Sequence, residues 1–153
     1  MWVNRGAGEW SVAGRTLPAF CLYARVPAGS GTVEAAIERR GEATVEWARS
    51  PAFIYVNPRG TQPVSFDGIT ANGGFRLTEG ELTPLPDSPA FTVRLSWSSL
   101  PWKKPAPRQA EAIAEDGRLI RRIDLRTEDG QIVLECEPGI FTYRFRWQSR
   151  LSH

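Results

Sequence analysis

Histidine, cysteine and methionine are almost missing from this chain: 153 residues hold one histidine, one methionine and two cysteines. The histidine, His153, is the last residue and reads as a frayed end or tag remnant. Ser-His-Asp and Cys-His catalytic arrangements and histidine zinc sites therefore have no imidazole to build on. Two cysteines are too few for a disulfide scaffold. Cys136 falls in phase with Ile132 and Leu134, whereas Cys21 shares a strand face with Tyr23 and Arg25, so two separate thiols are expected and a Cys21–Cys136 bridge is the lesser alternative. Compartment stays open on this count.

An excess of one charge is lacking too. Nineteen Lys and Arg against seventeen Asp and Glu leave +2, far from the concentrated positive field that a phosphate backbone requires, and nucleic acid is not an expected partner. No run approaches the roughly 18 consecutive apolar residues of a spanning helix, and no basic-then-apolar leader opens the chain. The first ten residues read as a polar, Gly-containing lead-in, which fits a domain cut from a longer protein as well as a native start. Phosphate cradles are missing: there is no Gly-x-x-x-x-Gly-Lys-Ser/Thr, and Arg5-Gly6-Ala7-Gly8 lacks the strand before it and the helix after it. No metal and no cofactor are expected.

What the chain has is punctuation. Twelve prolines and fourteen glycines cut it into short pieces in which apolar residues recur every second position. Strands are predicted over 19–26, 32–38, 43–48, 52–56, 64–66, 74–78, 90–97, 118–127, 131–137 and 140–147. Residues 109–115 have a helical composition but run into Asp116-Gly117 and a further strand, so they read as the first arm of a hairpin. In 90–97 the set Phe91, Val93, Leu95, Trp97 alternates with Thr92, Arg94, Ser96; in 140–147 Phe141, Tyr143, Phe145, Trp147 alternate with Thr142, Arg144, Arg146. Val33, Ala35 and Ile37 against Glu34 and Glu38 give a weaker copy. Each is a half-buried strand with its apolar set inward. About ten short antiparallel strands in two facing sheets follow, an all-β sandwich of immunoglobulin-like or jelly-roll type, in one domain over 1–153 with 1–15 as lead-in.

Candidate chemistry is sparse. Of the carboxylates, most are expected on outward strand positions or in turns, and Asp67, Asp116 and Asp129 each precede a turn glycine, where backbone hydrogen bonding explains them. A hydrolytic carboxylate pair is a lesser alternative. Six tryptophans carry more, because indole faces stack on sugar rings and favour binding surfaces. Trp47, Trp97 and Trp147 are in phase with apolar neighbours and read as core; Trp2 and Trp10 pack down the lead-in. Trp102 sits in a proline-stiffened loop beside Lys103 and Lys104. It is the candidate binding residue, with capping of the sandwich end as the competing role. Asn57, Arg59 and Asn72 are candidate ligand donors in two further loops, where turn formation is the cheaper explanation.

The stretch 115–135, with its Asp-Gly and Glu-Asp-Gly turns, closed by Gly139-Ile140-Phe141-Thr142-Tyr143-Arg144-Phe145, resembles the closing strands of accessory β-sandwich domains in multidomain bacterial glycoside hydrolases and related polysaccharide-active enzymes. The resemblance implies a non-catalytic, extracytoplasmic module that packs against an adjacent catalytic domain or contributes to binding a polysaccharide or oligosaccharide. It assigns no functional residue. The alternatives are a protein-interaction or structural domain, with the proline-rich loop and the basic faces of Arg94, Arg144 and Arg146 as contact surface, and a small carboxylate-dependent glycan hydrolase.

Overall fold

The computed structural model describes residues 1–29 and 31–147; His153 lies outside them. Seventeen strands follow in order: β1 (Trp2–Val3), β2 (Trp10–Val12), β3 (Arg15–Leu17), β4 (Leu22–Ala28), β5 (Gly31–Arg40), β6 (Ala43–Arg49), β7 (Phe53–Asn57), β8 (Val64–Phe66) and β9 (Ile69–Ala71). The rest are β10 (Phe75–Thr78), β11 (Glu81–Pro84), β12 (Phe91–Leu95), β13 (Gln109–Ile113), β14 (Leu119–Asp124), β15 (Arg126–Glu128), β16 (Gln131–Cys136) and β17 (Thr142–Arg146). Every pairing is antiparallel. The only helical turn among the described residues is a 3-10 turn at Trp97–Ser99.

The larger sheet has twelve strands, running β1-β4-β5-β6-β7-β10-β11-β17-β13-β14 with the β2–β3 hairpin attached to β5. The smaller has five, β15-β16-β12-β9-β8. They face each other across one apolar core. Aromatic pairs mark the contact: Trp47 on Phe66 at 4.8 Å and Phe75 on Phe91 at 6.2 Å from sheet to sheet, and Trp97 of the 3-10 turn edge-on to Phe145 at 5.5 Å between ring centroids. β14 and β15 are separated by Leu125 alone, so the chain passes from one sheet to the other at a corner. The all-β two-sheet reading holds, with more and shorter strands than the sequence suggested. The extra ones are two to four residues long, too short to show a period. Residues 118–127 divide at Leu125, and the lead-in forms β1 and β2 and begins β3.

Residues directly opposite in a ladder share a face, so register can be followed across the larger sheet. One transverse row runs Arg25 (β4), Glu34 (β5), Arg49 (β6), Ile54 (β7), Leu77 (β10), Leu82 (β11), Tyr143 (β17), Ala112 (β13). The next runs Tyr23, Ala36, Trp47, Val56, Phe75. The first row is charged at one end and apolar from Ile54 onward, and the smaller sheet explains the change. Phe66 of its edge strand β8 packs on Trp47 of β6 and lies under Arg40 of β5, and the larger sheet continues past it as β4 and β1. The inner face is thus an apolar core beneath the smaller sheet and a polar, largely buried shoulder toward β4 and β1.

This register reverses the expected faces of β5. Glu34, Ala36 and Glu38 point inward and are buried, while Val33, Ala35 and Ile37 take the other, half-buried side. Carboxylates tolerate that position because each finds cationic and neutral donors there. Phe141 was also expected inward. It is instead 52% exposed, because β17 starts one residue later, and Thr142 is buried, donating to the Leu82 carbonyl at 3.1 Å. Trp47 and Trp97 are buried and Trp147 is half-buried against the core. The Cys21 and Cys136 thiols are free.

Candidate functional site

The shoulder is built around two inward carboxylates. Glu38 accepts from Arg15 Nη1 at 3.1 Å, Arg40 Nε at 2.7 Å and Trp47 Nε1 at 3.0 Å. Glu34 accepts from the Tyr23 hydroxyl at 2.8 Å and from Arg49 Nε at 2.8 Å, with Arg25 Nε 3.6 Å away. Burial pushes the Glu34 carboxyl up, but the hydrogen bonds from Arg49 and Tyr23 and the charges of Arg49 and Arg25 outweigh it. The net displacement is below the usual carboxylate range. Arginine faces pack on the aromatic rings between: Arg15 lies 4.8 Å from the Tyr23 centroid and 4.7 Å from Trp47, and Arg40 lies 4.8 Å from Phe66. The β2–β3 hairpin delivers Arg15, with Leu17 fully buried beside it.

Arg49 is the hinge of the arrangement. Its Nε and Nη2 bond Glu34 within the larger sheet, and its Nη1 bonds Asp67, which belongs to the smaller one. Asp67-Gly68 is the two-residue turn between β8 and β9, where Phe66 pairs with Ile69. Both turn residues have positive φ, 44° and 85°, as a two-residue hairpin of this hand demands. Gly68 also has a steric reason: a Cβ there would lie 2.7 Å from Ser99 Cβ. Gly31 is equally constrained, since its Cβ would come within 2.4 Å of Pro51 Cγ. These two close approaches draw the β5 end, the Ser50-Pro51 turn, the Asp67-Gly68 turn and the 3-10 turn around one cleft of about 660 Å³. Thr32, Arg49, Ser50, Pro51, Ile54, Asp67, Gly68, Ser99 and Pro101 line it. Hydroxyls, a donor guanidinium and an acceptor carboxylate thus share a wall with Pro and Ile side chains. Arg49 with Asp67, and Arg25 with Glu34, leave the surroundings electrically balanced.

The residues singled out from the sequence lie elsewhere. Trp102 is half-buried and packs tilted on Trp97 at 5.6 Å between centroids. Its loop is tied down by Trp97 Nε1 donating to the Lys104 carbonyl at 2.9 Å and Trp147 Nε1 donating to the Pro105 carbonyl at 2.7 Å. Lys104 bonds Glu79 at 3.0 Å and sits over the Trp147 ring; Lys103 is exposed. Asn57 Oδ1 accepts from the Arg59 backbone N–H at 3.0 Å, Arg59 pairs with Glu46, and Asn72 Oδ1 accepts from the Thr92 N–H at 2.8 Å. None lines the cleft, although Pro101 next to Trp102 does. Of the basic strand faces, Arg94 pairs with Glu128 and Arg146 with Glu111. Glu111 is buried rather than outward, and the hydrogen bond from Arg146 leads the effects that hold its carboxyl low.

A second cleft, of about 560 Å³, lies between residues 83–88 and 137–141 and brings Phe91, Ile140 and exposed Phe141 near Asp87, Glu115 and Glu137. Among the described residues no cluster of His, Cys, Asp and Glu has the form of a metal site, and no helix is long and apolar enough to cross a membrane. No family model, curated protein or solved structure matches the chain.

Proposed function

We propose that this chain is a non-catalytic β-sandwich module of a carbohydrate-active or cell-surface protein, and that it holds a hydroxyl-rich ligand in the Arg49–Asp67 cleft. The observation that carries the reading is the pairing of a guanidinium and a carboxylate across that cleft, beside Thr32, Ser50 and Ser99. A sugar hydroxyl both donates and accepts, so an Arg–Asp pair offers it one partner of each kind. The apolar wall of Pro51, Ile54 and Pro101 suits the C–H faces of a ring. Hydrolysis with Glu34 or Glu111 as the acid is disfavoured by the partners of those two carboxylates. A general acid needs a carboxyl held protonated near neutrality, whereas Glu34 and Glu111 are both held low by arginine.

Asp67→Asn is the variant of choice, because Asn tolerates the left-handed conformation of the turn. Isothermal titration calorimetry with neutral oligosaccharides is expected to give saturable binding that this variant weakens about tenfold. No binding by the unaltered chain, or equal binding by the variant, would remove the proposal.

A second reading, docking of an adjacent domain, rests on exposed apolar side chains in the early part of the sequence. Among the described residues, six of the nine exposed large hydrophobics fall within the first 26: Met1, Trp2, Val3, Trp10, Phe20 and Val26.

A further inference from the structure

The cleft lies at one end of the charged row Arg25–Glu34–Arg49. Trp2 lies opposite Tyr23 in the β1–β4 ladder, and its indole stacks on the phenol ring with centroids 5.2 Å and planes 12° apart. Tyr23 is held in turn by its hydrogen bond to Glu34 and by the Arg15 guanidinium, which is itself inserted against Trp47. The orientation of the indole is therefore fixed from behind by packed and hydrogen-bonded groups. β1 is the last strand of its sheet, so the indole face turned away from Tyr23 looks past the sheet edge. Among the described residues no second ring stacks on Trp2, which keeps 40% of its surface exposed.

Between β1 and β6 lie three strand spacings, about 14 Å, which is longer than a single pyranose ring. Exposed Arg25 occupies the interval, on the row that leads through Glu34 to Arg49. We infer that the shoulder is a series of subsites for a neutral pyranose chain: one ring packs its C–H face on Trp2, and the following rings pass Arg25 into the Arg49–Asp67 cleft. This rests on the sugar-binding reading of that cleft and extends it from one ring to several. The aromatic face is negative and attracts polarised C–H groups. Two arginines and two carboxylates along the path leave no net charge to select an acidic sugar.

The test is chain-length dependence. Cello-, xylo- and manno-oligosaccharides, from monosaccharides up to hexasaccharides, are titrated calorimetrically into the full chain and its Trp2→Leu, Trp2→Phe and Asp67→Asn variants. The expected result is affinity that rises with length in the unaltered chain, a three- to tenfold loss for the longer oligomers in Trp2→Leu, no change for the shortest bound sugar, and retention of most affinity in Trp2→Phe. Binding that does not rise with length in the unaltered chain overturns the inference without needing any variant. So does a Trp2→Leu protein that matches the unaltered chain at every length while Asp67→Asn is weakened, and in that case the cleft reading stands. Failure of the unaltered chain to bind any of these sugars overturns both.

Discussion

The indole N–H of Trp47 donates to the carboxylate of Glu38 at 3.0 Å inside the larger sheet, with Glu38 only 2% exposed. An inward glutamate on a strand costs little when every lone pair is used, and much when its partners are left behind. Glu38→Ala strands Arg15, Arg40 and the Trp47 N–H together, so a loss of about 3–5 kcal/mol is expected in urea unfolding. Glu135→Ala, which removes an exposed carboxylate paired with Arg126, is expected to stay within about 0.5 kcal/mol. Equal effects would show that the shoulder network contributes nothing specific.

Stability should depend on pH at both ends of the scale. Glu34 ionises lower in the folded chain than in the unfolded one, so its contribution is complete above about pH 4.5 and fades as the pH falls through its folded value. Glu34→Gln is expected to be less stable than the parent at neutral pH and to converge with it in acid. Burial pushes Tyr143 up to about 12, against about 10 for a free tyrosine. Unfolding therefore releases a proton between these values, and stability should decline from pH 10 to 12. Chemical denaturation across the two ranges reads both, and a flat profile for the parent and Glu34→Gln alike in acid would contradict the Glu34 assignment.

The two thiols should separate by reactivity. Cys136 is 2% exposed and burial raises its pKa, whereas Cys21 is half-buried just before β4. Ellman's reagent is expected to titrate Cys21 in the native protein and Cys136 only after denaturant is added. Rapid labelling of both, or of neither in the unfolded chain, would contradict two free thiols so placed.

Phe20 combines 77% exposure with a φ of 61°, in a turn closed by the Cys21 N–H donating to the Pro18 carbonyl. A bulky side chain in that region is strained. Phe20→Gly should therefore raise stability by about 1 kcal/mol in thermal or urea unfolding. A loss would mean that the ring makes a contact worth more than the strain it carries.

The strong strands were legible because their alternation is unmixed: Phe91, Val93 and Leu95, and Tyr143 with Phe145, are buried as their spacing requires. β5 was misread by the same rule. Its charged residues have the spacing of an outward face, and all the groups that make Glu34 and Glu38 tolerable, except Arg40 of β5 itself, come from β3, β4 and β6. A signal was available in the hairpin registers, which set Arg25 and Arg49 on either side of Glu34. The Asp67-Gly68 turn was visible, but its meeting with Arg49 joins two sheets, and no local pattern encodes that. Trp102 has the sequence setting of a binding residue in its proline-stiffened loop, but its ring packs on Trp97. Trp2, which carries the exposed stacked face, belongs to a strand of two residues, below the length at which alternation can be seen.

Backbone chemical-shift mapping by 1H–15N NMR during titration with a neutral oligosaccharide locates the bound ligand on the chain. Shifts are expected to concentrate at Thr32, Arg49, Ser50, Asp67, Gly68 and Ser99, and to extend to Trp2 and Arg25 for longer chains. Shifts centred on Trp102 to Lys104, or on Asn57 and Arg59, with the cleft residues unmoved, would contradict binding in the Arg49–Asp67 cleft.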